Sequence, residues 1–439
     1  MNRDASGPAT TAGGWWSQRN RILGVLVLVY ACQIVDRQLP GILLPMIKAD
    51  LQLTDTELGI LTGPAFAIVF VVFGLPVAWL ADRSSRRLIV AVAVSAWSVM
   101  TAATAFAQGL WSMMALRIGV GVGEAGCGPV SHAIIAEHFA PAERGSAMGV
   151  YYWGSSLGTL IAFMGGGWVG EVFGWRVAFL AAGLPGIALA VMVYRTIPAS
   201  SHGRPSRPEA PDTMSLGAAL KFLAGQRSFV FLAIAAAFSN MAYAGGLGWI
   251  PSFFNRSHQL GSAEIGLWLS LSTGVIATGG LFLGGWLADK ASRRDLLWYM
   301  WLPGVGMAIA LPTLFAVFLV GNANLAFALF ALAWLGAAIG IAPNYALAQT
   351  LAQSRMRAMA SAALAFCVSS MGYGVGPLLI GALSDAWQPT FGDQSLRYAL
   401  LAVMASGTSV AALAFLFGGE TVARDAERAV ATEAASTQS

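Results

Sequence analysis

The sequence predicts an all-α membrane protein: twelve transmembrane helices in two pseudo-symmetric six-helix bundles. Three observations carry that reading. The 439 residues are 57% hydrophobic and only 10% charged, against about 25% charged in an ordinary soluble domain. Apolar runs recur along the chain, each near the roughly 20 residues that cross a bilayer as a helix. The chain also repeats itself, with GLPVAWLADRSSRR at 74–87 returning as GLFLGGWLADKASRR at 280–294.

Taken in order, the spans are expected at 21–47, 56–81, 88–107, 110–136, 145–171, 175–196, 228–255, 263–288, 296–320, 323–349, 358–385 and 396–418. Residues 297–354 hold no Asp, Glu, Lys or Arg. That stretch is too long for one span, and the polar break Gly321-Asn322-Ala323-Asn324 divides it. With both termini in the cytoplasm, inner segments carry 19 basic residues and outer segments carry Lys48, Arg176, Arg256 and Arg397. Such an asymmetry sets orientation. The net charge of +4 therefore marks membrane topology rather than nucleic-acid binding. The first sixteen residues lack a cleavable-signal pattern. Cys32, Cys127 and Cys367 sit apart in apolar segments, as packing residues do.

Five regions follow: an N-terminal tail at 1–16, a six-helix bundle at 17–197, a linker at 198–226, a second bundle at 227–418 and a C-terminal tail at 419–439. The linker carries Pro198, Pro205, Pro208 and Pro211 among Ser and Arg, a composition that stays extended and solvated. Its end, 215–226, reads as a short amphipathic helix with Leu216, Leu220 and Leu223 as its apolar stripe.

Asp82, Arg86 and Arg87 match Asp289, Arg293 and Arg294 at one offset of 207 residues. Together with Arg83, these loops are expected to form charge clusters that clasp the inner gate shut, with an Asp at a helix N-terminus where the dipole favours it. A second echo pairs Gly158, Gly167 and Glu171 with Gly372, Gly381 and Asp385 at an offset of 214. Internal repetition of this kind marks transporter halves.

These features resemble the major facilitator superfamily across about residues 20–418. Within it, the Asp36-Arg37 pair, RIGVGVGEAGCGP at 117–129 and APAERGSAMG at 140–149 resemble the Spinster family. That resemblance implies alternating-access export of sphingolipid-like or lysophospholipid-like molecules. The compact loops and short tails are unlike animal members and imply a bacterial inner-membrane protein.

Four charged residues lie deep in predicted spans: Asp36 and Arg37 in the first, Arg117 and Glu124 in the fourth. Ionisable groups at that depth cost at least about 2.5–3.5 kcal/mol and are normally paired and functional. Arg117 and Glu124 are seven residues apart, on one helical face, and Asp36 falls between them in depth. A cross-helix Asp36–Arg117 pair is expected, with the four residues handling protons or a substrate headgroup. The glycines of span four are expected to admit a neighbouring helix or the substrate.

The second half has no charge at depth. Asn240, Tyr243, Asn344, Tyr345 and Tyr373 are its cavity candidates, suited to an acyl chain with a few orienting hydrogen bonds. Tyr151, Tyr152 and Trp153 read as interface anchors. No His, Cys or acidic cluster has metal spacing, and no Walker loop is present, so neither enzyme chemistry, a metal, a cofactor nor ATP-driven pumping is expected. The reading is a monomeric secondary transporter in the lipid bilayer for an amphipathic molecule, with proton coupling. The alternative is a symporter of small organic anions such as sugar acids, clamped by Arg37 and Arg117.

Overall fold

The computed structural model describes residues 17–65, 85–125, 127–198, 216–353 and 356–437, and no described residue lies in a strand. Nine helices among them are long and apolar enough to cross a membrane. The last, Met359–Thr432, carries the eleventh and twelfth expected spans in one helical run, turned tightly at Gly392–Gln394. The fourth expected span is divided into Leu110–Glu124 and Cys127–His138. The second is described from Asp55 to residue 65. Asp82, Arg83, the N-terminal tail and most of the linker lie outside the described residues.

The first span is one helix, Gln18–Leu51, with Pro40 and Pro45 inside it. Proline lacks the N–H that would bond the carbonyl four residues back, so two carbonyls of this helix, at Asp36 and Gly41, are left without an intrahelical donor. Spans five, eight and eleven each contain a π-helical turn, at Ile161–Gly165, Ser270–Ile276 and Ser370–Val375. Such turns concentrate where helices bend for function, and these helices carry much of the contact between the halves.

The halves meet through span two with span eleven, span five with span eight, and span one with the end of span seven. Two of these junctions are copies of one design. Gly381 lies so close to the start of span two that a Cβ would fall on the Asp55 carbonyl, and Gly167 stands in the same relation to Ser262 at the start of span eight. Four residues beyond each glycine an acid caps the facing helix. Asp385 accepts from the N–H of Asp55 at 3.1 Å and of Thr56 at 2.7 Å, and Glu171 accepts from the N–H of Ala263 at 2.7 Å. The first N–H groups of a helix have no internal partner and form the positive end of its dipole. The glycine-acid echo of spans five and eleven is thus a pair of backbone clamps between the halves.

The short helix before span seven, Leu216–Ala224, packs on the seventh and eleventh spans. It buries Ala219 and Leu223, while Leu220 is exposed, so the apolar stripe expected through Leu220 is rotated. The C-terminal segment is helical over Val422–Thr437. Its buried Asp425 accepts from the N–H of Ser228 at 2.9 Å, capping the start of span seven.

The clamps depend on bare glycines. Gly167→Val and Gly381→Val should each cost about 1–3 kcal/mol through overpacking, read as a lower midpoint of thermal unfolding in detergent. Gly24→Ala, at a position with open space around it, should not lower the midpoint. Equal midpoints for all three would show that the close approach does not matter.

Candidate functional site

The four charges predicted at depth come together between the first span and Leu110–Glu124. The Arg37 Nε donates to Glu124 Oε2 at 2.6 Å, and Gln33 Nε2 donates to the same oxygen at 3.3 Å. Glu124 is fully buried, while the Arg37 side chain is 23% exposed. Glu124 Oε1 has no hydrogen-bond partner among the described residues. Arg117, buried at 6% exposure, does not reach the Asp36 carboxylate. Its Nη1 donates at 3.0 Å to the Asp36 backbone carbonyl. The expected carboxylate pair is therefore corrected. Pro40 provides the reason, since the carbonyl it cannot bond is the one at Asp36.

The Asp36 side chain is 1% exposed, and neither of its oxygens has a hydrogen-bond partner among the described residues. Thr101 of span three lies beside it without meeting hydrogen-bond geometry. Burying a polar group without a partner is costly, and burying a charge far more so. Gly119 and Gly123 of span four serve helix packing, whereas Gly128 has open space around it. A Cβ at Gly119 would press on Met100, and one at Gly123 on Trp97, both from Arg86–Ala103.

In front of this cluster lies a cavity of about 540 Å³ between the halves. Tyr30, Tyr152 and Ser156 line it on one side, and Asn240, Tyr243, Trp334 and Tyr373 on the other. Its wall is mostly apolar. Arg37 lies beside Tyr30 and Tyr373 and is the most exposed of the four charged residues. Of the five predicted cavity residues, Asn344 and Tyr345 do not line it. The Asn240 amide donates to the Val368 carbonyl at 2.9 Å, which fixes span seven to span eleven. Of the three aromatics expected as interface anchors, Tyr151 is not one. Tyr151 is buried and stacks on Tyr30 at 4.8 Å, and Tyr152 and Trp153 face the cavity. His132 meets the Tyr152 hydroxyl at 3.3 Å, away from the four charges. Ser156 and Thr278 join the halves at the cavity edge, 2.8 Å apart.

One end of the cavity is shut by an ionic latch that sequence reasoning missed. Asp55, 3% exposed at its side chain, takes both terminal nitrogens of Arg256 at 2.8 and 2.6 Å, Lys48 Nζ at 2.5 Å and the Ser384 hydroxyl at 2.6 Å. Burial works to raise its pKa, but the Arg256, Lys48 and Ser384 contacts outweigh it and hold the carboxyl well below the usual range. At the other end, Arg86 pairs with Glu137, and Arg87 lies over the Tyr194 ring at 4.2 Å, both within the first half. Among the described residues, Arg86, Arg87, Asp289, Arg293 and Arg294 make no ion pair across the halves. No group of three metal-ligating side chains comes together among them either.

Two helical halves that enclose a mostly apolar cavity, shut at one end, with buried charges behind it, define a membrane transport protein. The chain belongs to the Major Facilitator Superfamily, whose family model matches residues 26–377. It is 33% identical over 404 residues to an MFS-type efflux pump of Mycolicibacterium smegmatis, covering 92% of this chain and 93% of that one. It is 26% identical over 279 residues to a hexuronate transporter of Bacillus subtilis, covering 62% of this chain and 66% of the relative. Among solved structures, a bacterial homologue of the human lysosomal transporter Spinster, inward-facing and unoccupied, superposes with a TM-score of 0.83 at 26% identity. That match covers 93% of this chain and 98% of the other.

The latch makes a pH prediction. A carboxyl whose pKa is depressed in the fold stabilises it above the ordinary carboxylate pKa and loses that effect only as pH falls through the depressed value. The unfolding midpoint lost on Asp55→Asn should therefore be constant from pH 7 down to about 4 and shrink only below that. A difference already vanishing between pH 7 and 5 would show that Asp55 is not held charged.

Proposed function

We propose that this transporter carries an amphipathic, lipid-like molecule of the lysophospholipid or sphingolipid type, its headgroup at Arg37 and its chain along the aromatic and aliphatic wall, coupled to protons at Glu124 and Asp36. The observation that carries this is the position of Arg37. It is the most exposed of the four charged residues and lies beside Tyr30 and Tyr373 of the cavity wall, and its carboxylate partner Glu124 is sealed from water. An anionic headgroup that takes Arg37 removes that partner from Glu124. A carboxylate stranded in hydrocarbon is neutralised by a proton far more cheaply than it is left charged. Headgroup and proton then favour each other's binding, and the linkage is reciprocal. Asp36, already without a donor, is the second proton site.

The basic-residue asymmetry supports an orientation with both termini in the cytoplasm and the latched end outside. The cavity then opens inward, in keeping with the likeness to an inward-facing Spinster homologue. The repeated loops of Asp82, Arg83, Arg86 and Arg87 and of Asp289, Arg293 and Arg294 would clasp the inner end when the latch opens. The region boundaries drawn at 197 and 227 separate the two rocking halves. The likeness to a hexuronate transporter supports a second reading, a small organic anion in the same seat. Against it stands the separation of the two arginines. Arg37 faces Glu124 and Arg117 faces the Asp36 carbonyl, so they do not converge on one carboxylate.

Ligand binding to purified protein separates these readings. A lysophospholipid should bind more tightly as pH falls from 8 to 5.5, by roughly tenfold per proton taken up per pH unit in the titrating range. Glu124→Gln should bind it tightly at every pH. In proteoliposomes, Asp36→Asn and Glu124→Gln should each lose proton-driven flux. Wild-type binding that ignores pH, or full flux in both variants, would remove the coupling. Uptake of hexuronate but not lysolipid would favour the second reading.

A further inference from the structure

We infer that Pro40 is a positioning residue of the charged cluster: by withholding an N–H from the Asp36 carbonyl, it creates the acceptor that holds the Arg117 guanidinium away from the Asp36 carboxylate. In an unbroken α-helix the carbonyl of residue 36 bonds the N–H of residue 40. Position 40 is proline, inside the helix Gln18–Leu51, so that carbonyl has an unused lone pair at membrane depth. Arg117 fills it at 3.0 Å, and Pro40 and Arg117 border the same small void together with Leu44 and Met113. A guanidinium carries five donors in a fixed fork and, once buried, goes to whatever acceptor the wall offers. Two acceptors stand on the same residue, the carboxylate and the carbonyl. The carbonyl holds Arg117, and the carboxylate oxygens are left without a donor.

The consequence is a choice between two seats for one cation. With Arg117 on the carbonyl, the Asp36 carboxyl is available for a proton. With Arg117 on the carboxylate, it is not. The other groups around Asp36 are Cys32 and Arg37 on its own helix, Glu124 beside Arg117, and the neutral Thr101 of span three. Pro45, one turn on in the same helix, frees the Gly41 carbonyl instead and serves as the control.

The inference rests on the transport reading, and the test separates the two. The full chain in proteoliposomes is assayed for lysophospholipid flux driven by a proton gradient. Pro40→Ala, which restores the N–H, should lose roughly tenfold in initial rate, the scale of one hydrogen bond to a charged group. Pro45→Ala should stay within about twofold. Combined with Arg117→Ala, Pro40→Ala should add no further loss, because the two act through one contact. Replacing Pro40 with the α-hydroxy analogue of alanine, an ester without an N–H, should restore the rate. Rescue by the ester supports the proposal even where the alanine variant folds poorly. Failure of both the alanine and ester forms overturns it, because the ring's shape would then be what matters. Additive loss in the double variant overturns it as well. Normal flux in Arg117→Ala alone would instead defeat the transport role of the cluster.

Discussion

A charge in hydrocarbon must find a partner, and that constraint organises the amino-terminal half of this protein. The insertion cost of each ionisable group is a few kcal/mol even on lenient scales, so four such groups on two helices cannot be independent. They resolve into one ion pair, Arg37 with Glu124, and one charge-to-backbone bond, Arg117 with the Asp36 carbonyl. A single carboxyl is left over. Helix breaking and charge burial are usually treated as separate faults of a membrane segment, yet here each answers the other. The proline exposes an acceptor, and the buried arginine uses it.

The same principle works at the closed end, with the opposite outcome. Asp55 is as enclosed as Asp36, but it gathers two cations, a hydroxyl and a place on a capped helix start. It is an anion secured by surplus donors. Asp36 is an anion site stripped of them. Surplus donors favour a charge that stays, and missing donors favour one that comes and goes. Asp55 thus holds the halves together, and Asp36 is the one that changes protonation only on the proposed transport reading. The glycine-acid clamps add carboxylate contacts to the first N–H groups of the facing helices, at the positive end of the dipole.

Much of the fold was legible in the sequence, since span length and internal repetition are one-dimensional signals of a one-dimensional constraint. The charged quartet was legible for the same reason: charge is conspicuous against oil. What was not legible was partner choice. Arg117 was assigned to the Asp36 carboxylate because side-chain arguments consider side chains, whereas the chosen acceptor is a carbonyl. The clue was the proline four residues downstream. The latch at Asp55 was missed because it sits at a span end, where charged residues are ordinary. The paired echo of Gly167–Glu171 and Gly381–Asp385 did point there, since glycine followed by an acid one turn later, twice, is what a backbone clamp requires. Tyr151 differs from its expected interface position because it lies two turns inside the helix that begins at Arg144, where it is buried against Tyr30.

The first span connects these pieces. Arg37 stands at the cavity and Lys48 in the latch, eleven residues apart in sequence, which is about 16 Å along a regular helix. Pro40 and Pro45 lie between them, so the segment that joins site to latch is the one whose internal bonding is weakest. A straight rod would transmit any movement of Arg37 rigidly to Lys48. A helix with two missing backbone bonds can instead bend between them. Coupling across such a distance requires an element with two arrangements that both sites bias. On the proposed reading the first span would have that character: a headgroup would compete for Arg37 at one end, Asp55 holds Lys48 at the other, and the freed carbonyl at Asp36 sits nearer the cavity end.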